Sequence, residues 1–246
     1  MKKKIRLGIN IDHVATLRNA RNENFPDLVQ IIRILKKVKV DSVTVHLRED
    51  RRHIKDRDVF KIKEINLLPL NLEMAPTEEM KKNCLKVKPF ACCIVPERRE
   101  ELTTEGGLDV KNQKDYLNGF LPEIIKSGTR TSLFIDPEKN QIDAAKELNV
   151  NAVELHTGKY SKLFKNKAFS KELEKISDAA KYCHEIGLEC HAGHGLDFYN
   201  VKNISDINEI LELNVGHFLI SNSIIDGLEK TIHKFMDIIK HPSICV

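Results

Sequence analysis

The stretch Gly8-Ile9-Asn10-Ile11-Asp12-His13 decides the fold, because it closes the first apolar run of the chain and is not a nucleotide-binding turn. A doubly wound open sheet would carry Gly-x-Gly-x-x-Gly at this place to receive a pyrophosphate. Here polar and apolar residues alternate instead, as they do in a strand with two different faces. Working outward from Ile5–Ile11, seven further runs read as strands: Ser42–Leu47, Leu70–Met74, Ala91–Val95, Arg130–Ile135, Ala152–His156, Leu188–Ala192 and His217–Ser221. They recur roughly every thirty residues, and stretches of helical periodicity lie between them. Leu28, Ile31, Ile32, Leu35 and Val38 share one helix face. Val59, Ile62 and Ile65 suggest a second helix, and Thr77-Glu78-Glu79-Met80 opens a third with a hydroxyl cap and an acidic first turn. Residues 115–127, 138–148, 170–186, 200–212 and 223–240 complete the helical set. Strict strand and helix alternation predicts a parallel sheet with helices outside it. Eight units close into a (β/α)8 TIM barrel, an α/β fold, with residues 1–246 as one catalytic domain.

The bulk properties fit that reading. A hydrophobic fraction of 41% supports a large core, and 31% charged residues give a soluble surface. The net charge of +4 is spread along the chain, with no basic stripe interleaved with aromatics, so no nucleic-acid partner is expected. No window approaches the roughly 18–20 apolar residues of a membrane span, and the Lys2–Lys4 cluster leads into a broken apolar run, unlike a signal peptide. No membrane is expected, and the location is expected to be cytoplasmic. The six cysteines form no C-x-x-C pair and read as reduced thiols. A long irregular loop after strand four, Pro96–Val110, has the Gly106-Gly107 pair and neighbouring hydroxyls suited to a lid.

In such a barrel, reacting groups stand where the strands end, because the loops there converge on one mouth. Those ends carry Asn10, Asp12 and His13; His46 and Arg48; Asn71 and Glu73; Glu154 and His156; and His191 and His194, while His217 opens the last run. In Leu70-Asn71-Leu72-Glu73-Met74 the polar residues share the face opposite the leucines and the methionine. A carboxyl turned into a barrel must be paired, hydrogen-bonded or functional. Thr44 and His46 follow the same logic. His46, Glu73 and His194 therefore form the candidate proton-transfer set.

Gly193-His194-Gly195 lets the backbone approach a ligand, and Gly216-His217 with Ser221-Asn222-Ser223 precedes a helix. Loops after strands seven and eight with a helix N-terminus make the usual barrel phosphate site, so a phosphorylated substrate is expected. A metal held by His191 and His194, as in a barrel hydrolase or aldolase, is the alternative, and a barrel that only binds is another. No lysine lies within a strand to form a Schiff base; Lys159 is the nearest.

These motifs resemble the pyridoxine 5'-phosphate synthase family. The resemblance rests on Asn10–His13, Ala15–Arg21, Thr44–Ile54, Asn71–Ala75, Thr103–Val110, His156–Gly158 and Ala192–Leu196, in family order. It implies condensation of 1-deoxy-D-xylulose 5-phosphate with 3-amino-2-oxopropyl phosphate. The products are pyridoxine 5'-phosphate, inorganic phosphate and water. It implies no metal and no organic cofactor, and it implies self-association into a homo-oligomer, an octamer being the state considered. By position, His46 and Glu73 match general bases, His194 a general acid, and Glu154 a carboxylate that stabilises the reacting centre. Asn10, Arg21, Gly195, Gly216 and His217 match ligands of the aminoketone phosphate. Asp12, His13, Arg48, His53 and Thr103 match those of the sugar phosphate. Two positions depart from the pattern: His191 stands where asparagine is expected, and Asn222 where arginine is common.

Overall fold

The computed structural model describes residues 4–97 and 106–240. Its strands are β1 Arg6–Asn10, β2 Ser42–His46, β3 Leu70–Met74, β4 Ala91–Ile94, β5 Arg130–Ile135, β6 Ala152–His156, β7 Glu189–Gly193 and β8 Ile210–Val215. Each is parallel to the next, and β8 pairs with β1, so the sheet closes into a barrel. Around it lie α1 Asp12–Ala20, α2 Leu28–Lys37, α3 Asp56–Ile65, α4 Glu78–Val87, α5 Lys114–Lys126, α6 Lys139–Glu147, α7 Gly158–Phe164, α8 Ser170–Glu185, α9 Val201–Ser205, α10 His217–Asp226 and α11 Leu228–Lys240. The predicted TIM barrel is therefore the observed one.

Alternation along each strand sorts the core. Leu7, Ile9, Val43, Val45, Leu70 and Leu72 belong to the large apolar layer between sheet and helices, with Ile32 and Leu35 of α2 among the buried residues there. The opposite faces point into the barrel, where Cys93, Val95 and Phe134 make a small separate apolar cluster. Most of the remaining interior is polar. Thr44 donates to Asn214 Oδ1 at 3.1 Å, and the Asn71 amide reaches Thr44 at 3.4 Å. Deeper, towards the strand N-termini, Arg6 Nε donates to Glu212 at 2.8 Å and its Nη2 pairs with Glu189. Arg130 and His191 also pair with Glu189, at 3.1 and 2.8 Å. A charged floor thus closes the barrel below the mouth.

The last third of the chain departs from expectation. The eighth strand is Ile210–Val215, not His217–Ser221, and the latter residues begin α10. Glu212 and Asn214 supply its inward polar face, which hides the strand from an apolar-run reading. The predicted helix over 200–212 shortens to α9, and the one over 223–240 divides into α10 and α11 at Gly227, whose φ of 82° lies in the left-handed region. Two helices directly after strand ends, α1 and α7, were not predicted. The Thr77 cap is as expected, its hydroxyl accepting from Met80 N–H at 3.4 Å. Within 96–110, residues 98–105, including Thr103, lie outside the described residues; Pro96, Glu97 and residues 106–110 join no helix or strand.

One buried ion pair holds α1 to α3. Arg18 Nη1 and Nη2 each donate to the Asp58 carboxylate at 2.7 Å, and Asp58 also accepts the Lys55 N–H at 2.9 Å, closing the first turn of α3. Truncating one partner strands the other charge, a loss of about 3–5 kcal/mol. Arg18→Met is therefore expected to lower unfolding stability by about that amount, read as a lower urea midpoint at unchanged slope.

Candidate active site

The mouth of the barrel opens into a cavity of about 790 Å³. Its centre is a carboxyl pair. Glu73 comes inward from β3 and Glu154 from β6, each on the polar face that alternation assigns to it. Burial pushes Glu73 well above the usual carboxyl range, and the charges of Glu154 and Asp12 push the same way against a hydrogen bond from Asn10. Burial likewise raises Glu154 to about 7, with Glu212 adding to it while His191 and the Asn214 amide oppose. Asn214 Nδ2 donates to Glu154 Oε2 at 2.8 Å. Asn10 Nδ2 lies 3.3 Å from Glu73 Oε2 and 3.1 Å from Asp12 Oδ2, one amide serving both carboxylates. Gly193 leaves the room for Glu154, since a Cβ there would overlap Glu154 Oε1.

His46 stands beside Glu73 in the β2–β3 register. Its main-chain N–H donates to Asp12 Oδ1 at 2.9 Å, and its Nε2 faces Glu97 at 3.4 Å. His194 has φ +81°, a left-handed conformation that costs a non-glycine residue about 1–2 kcal/mol, and Gly195 follows at +76°. The Thr157 hydroxyl secures this turn, within 2.7 Å of the Gly193 and His194 carbonyls. Burial, then the neighbouring His156, depresses His194 to about 4; the two rings meet at 5.1 Å. His156 in turn faces Asp136 at 3.1 Å.

A second histidine group forms the opposite corner. His13 lies 4.7 Å from His217 and 5.4 Å from His53, ring to ring. Burial lowers His13 and takes His53 to about 4, with neighbouring positive groups adding to both shifts. Helix α1 arranges this corner through the Ala15–Arg21 motif. Thr16 bonds His53 Nδ1 at 2.7 Å, and the Asn19 amide holds the Arg52 and His53 carbonyls at 3.2 and 2.6 Å.

Twelve expected site residues line this one cavity: Asn10, Asp12, His13, His46, Arg48, His53, Glu73, Glu154, His194, Gly195, Gly216 and His217. Arg21 does not. It caps the far end of α1, a nine-residue helix that carries it about 14 Å from Asp12, and its exposed side chain pairs with Glu23 at 3.2 Å. His191 is also displaced from the mouth, into the charged floor against Arg6 and Glu189. The His191–His194 metal pair is therefore not assembled. Among the described residues, Asp12, His46 and Glu73 bring donor atoms within 4.8 Å of one another, but the Asn10 amide already bridges the two carboxylates. Sequence reasoning missed Glu97 and Asp136, and it named His156 without a role.

Residues 7–241 match the family described as "Pyridoxal phosphate biosynthesis protein PdxJ". The chain belongs to this family. It is 50% identical over 230 residues to a pyridoxine 5'-phosphate synthase of Ehrlichia chaffeensis, covering 94% of this chain and 95% of that one. A Zymomonas mobilis protein of the same name is 50% identical over 234 residues, 95% and 91% of the two chains. One from Aquifex aeolicus is 47% identical over 241 residues, 96% and 100%. Among solved structures, orotidine 5'-monophosphate decarboxylase from Methanocaldococcus jannaschii superposes with a TM-score of 0.64 at 11% identity, over 96% and 99% of the chains. That likeness is one of fold.

The raised Glu154 sets a pH test. Its folded value, about 7, exceeds the ordinary carboxyl value, so the folded state holds more protons between about 4.5 and 7. Its contribution to stability is full below that window and is lost as pH rises through it. Glu154→Gln, which cannot ionise, is expected to gain on the wild type by a few kcal/mol between pH 4.5 and 8, measured as the difference in urea midpoints.

Proposed function

We propose that this chain is a pyridoxine 5'-phosphate synthase, condensing 1-deoxy-D-xylulose 5-phosphate with 3-amino-2-oxopropyl phosphate by acid/base catalysis. The observation that carries the reading is the placement of two carboxyls of raised pKa, with His46 and His194, in one cavity between two corners suited to anions. Family membership supports the same activity.

The reaction joins the amine of one substrate to the ketone of the other as an imine, then closes a pyridine ring with loss of phosphate and water. Each stage moves protons between carbon, oxygen and the enzyme. In this assignment His46 and the ionised form of Glu73 take protons from carbon, the electron pair staying in the substrate. His194 gives a proton to a departing oxygen, and Glu154 stabilises the charged centre between them. Asn10, Gly195, Gly216 and His217 receive the aminoketone phosphate beside the first turn of α10, where unpaired main-chain N–H groups favour an anion. Asp12, His13, Arg48 and His53 receive the sugar phosphate, a substrate to which the family pattern also assigns Thr103. An enzyme lysine is not needed for the imine, because the substrate brings the amine. Lys159, which lines the cavity, is held by Glu172 at 2.7 Å, and that bond raises its pKa, keeping it a poor nucleophile. The set needs no metal or organic cofactor.

We assign residues 1–246 to one catalytic unit that assembles as a homo-oligomer. Ile224 and Ile225 on α10 and Phe25 beyond α1 are exposed apolar side chains of the kind that subunit contacts cover. Among the described residues no helix is long and apolar enough to cross a membrane. Phosphorylated substrates and the free thiols of Cys84, Cys92, Cys93, Cys183 and Cys190 support a cytoplasmic setting.

The purified protein with both substrates and no added cofactor is expected to release phosphate and form a pyridine chromophore. Binding without turnover would instead favour a barrel that only binds. Glu73→Gln is expected to lower kcat by about 10²–10⁴-fold while calorimetry still detects both substrates. Unchanged turnover would remove Glu73 from the catalytic set.

A further inference from the structure

Glu97 follows β4 and does not line the cavity, yet its side chain is 1% exposed and lies behind two residues that do. Its Oε1 accepts the Glu49 main-chain N–H at 2.9 Å and lies 3.6 Å from Arg48 Nε. Its Oε2 lies 3.4 Å from His46 Nε2. Both of these last two atoms are buried and neither has a hydrogen-bond partner. Buried polar atoms are rarely left so, and the two face each other a few tenths of an ångström beyond bonding distance. With Glu97 ionised, as the Glu49 N–H and the nearby Arg48 favour, they satisfy each other with the proton on Nε2 and the carboxylate accepting it.

The geometry points to Glu97 as the positioning residue of His46, fixing its imidazole as the Nε2–H tautomer so that Nδ1 is the basic atom. The inference rests on His46 acting as a base in the proposed reaction. When Nδ1 takes a carbon-bound proton, the C–H bond breaks, an N–H bond forms and the electron pair remains in the substrate. The resulting imidazolium then lies against the Glu97 charge, the arrangement by which a carboxylate supports a catalytic histidine elsewhere. Other charged groups near His46 do not replace it. Asp12 Oδ1 is taken by the His46 main-chain N–H, burial and its acidic neighbours favour the neutral form of Glu73, and Arg48 and His53 would repel an imidazolium. Burial alone would raise Glu97, but the facing His46 imidazole and the charge of Arg48 together hold it below the usual carboxyl range.

A glutamine at this position tests the tautomer directly. With its oxygen kept on the Glu49 N–H, its amide nitrogen faces His46 Nε2 and donates, which forces the proton to Nδ1. Ring nitrogen chemical shifts of His46, assigned with His46→Asn, are expected to report Nε2–H in the wild type and Nδ1–H in Glu97→Gln. Kcat is expected to fall about 10- to 100-fold in Glu97→Gln, part of what a positioned base contributes, while KM for each substrate stays within about threefold. Glu97→Asp, which keeps the carboxylate, should recover part of kcat, and Glu97→Gln should add nothing to His46→Asn.

A wild-type Nδ1–H tautomer overturns the inference, even if every variant fails to fold. So does a His46 tautomer unchanged in Glu97→Gln, or a kcat loss repeated in full in the His46→Asn background. Failure of the wild type to turn over would reject the proposed reaction while leaving the nitrogen shifts to decide the tautomer.

Discussion

Closing eight parallel strands commits every second side chain to a space without bulk water, and in this barrel two of those side chains are Glu73 and Glu154. Neither carboxyl can ionise cheaply while buried, and each makes ionisation of the other harder. The surrounding residues are what such a pair requires. Asn10 and Asn214 supply amide donors, one to each carboxyl, and Gly193 withholds a side chain where Glu154 must lie. Removing the pair would make the barrel easier to fold and would leave its mouth without carboxyls of raised pKa. If the two carboxyls act as proposed, catalytic capacity and stability pull in opposite directions at these positions.

The charged floor is part of the same problem. Arg6 lies between Glu189 and Glu212, and Glu189 also engages Arg130 and His191, so the ions below the cavity are paired before they can disturb it. Asn214 joins the two levels, reaching Glu154 at 2.8 Å and Glu212 at 3.5 Å. Glu154 therefore responds to opposed influences from beneath, Glu212 raising its pKa and His191 lowering it. An asparagine at position 191 would lack that lowering charge. The departure of His191 from the family pattern thus bears on the acidity of Glu154, although His191 itself lies below the mouth.

The centre of this site was legible because strand alternation is a local property. In Leu70–Met74 it placed Glu73 inward from five residues alone, and the register with β2 brings it beside His46. Ile210–Val215 obeys the same rule, but two inward polar residues leave it little apolar signal, whereas Phe218-Leu219-Ile220 offers an apolar run that is the buried side of a helix start. Glu97 was illegible for a related reason. Glu97 stands at the start of the long irregular loop Pro96–Val110, where sequence gives no sign of burial, and only the tertiary approach of the segments after β2 and β4 buries its carboxylate. Arg21 stands apart from this cavity because a motif match fixes position along the chain and not the direction in which a helix carries the residue that caps it.

One tension inside the proposed mechanism is resolved by charge. His194 is assigned as an acid, yet burial and His156 hold it at about 4, so near neutral pH its ring is uncharged and a weak proton donor. Its neighbour Gly195 belongs to the corner assigned to the aminoketone phosphate. A phosphate dianion placed there reverses the local field, because a negative charge stabilises the imidazolium that His156 and Lys162 destabilise in its absence. The same argument applies to His13 and His53 in the corner assigned to the sugar phosphate, both depressed by burial and by positive neighbours. Uncharged imidazoles cost less to bury than imidazoliums. In the proposed reaction, substrate phosphates would bring the negative charge that lets these rings protonate, so that the assigned acid gains its proton together with the leaving oxygen that receives it.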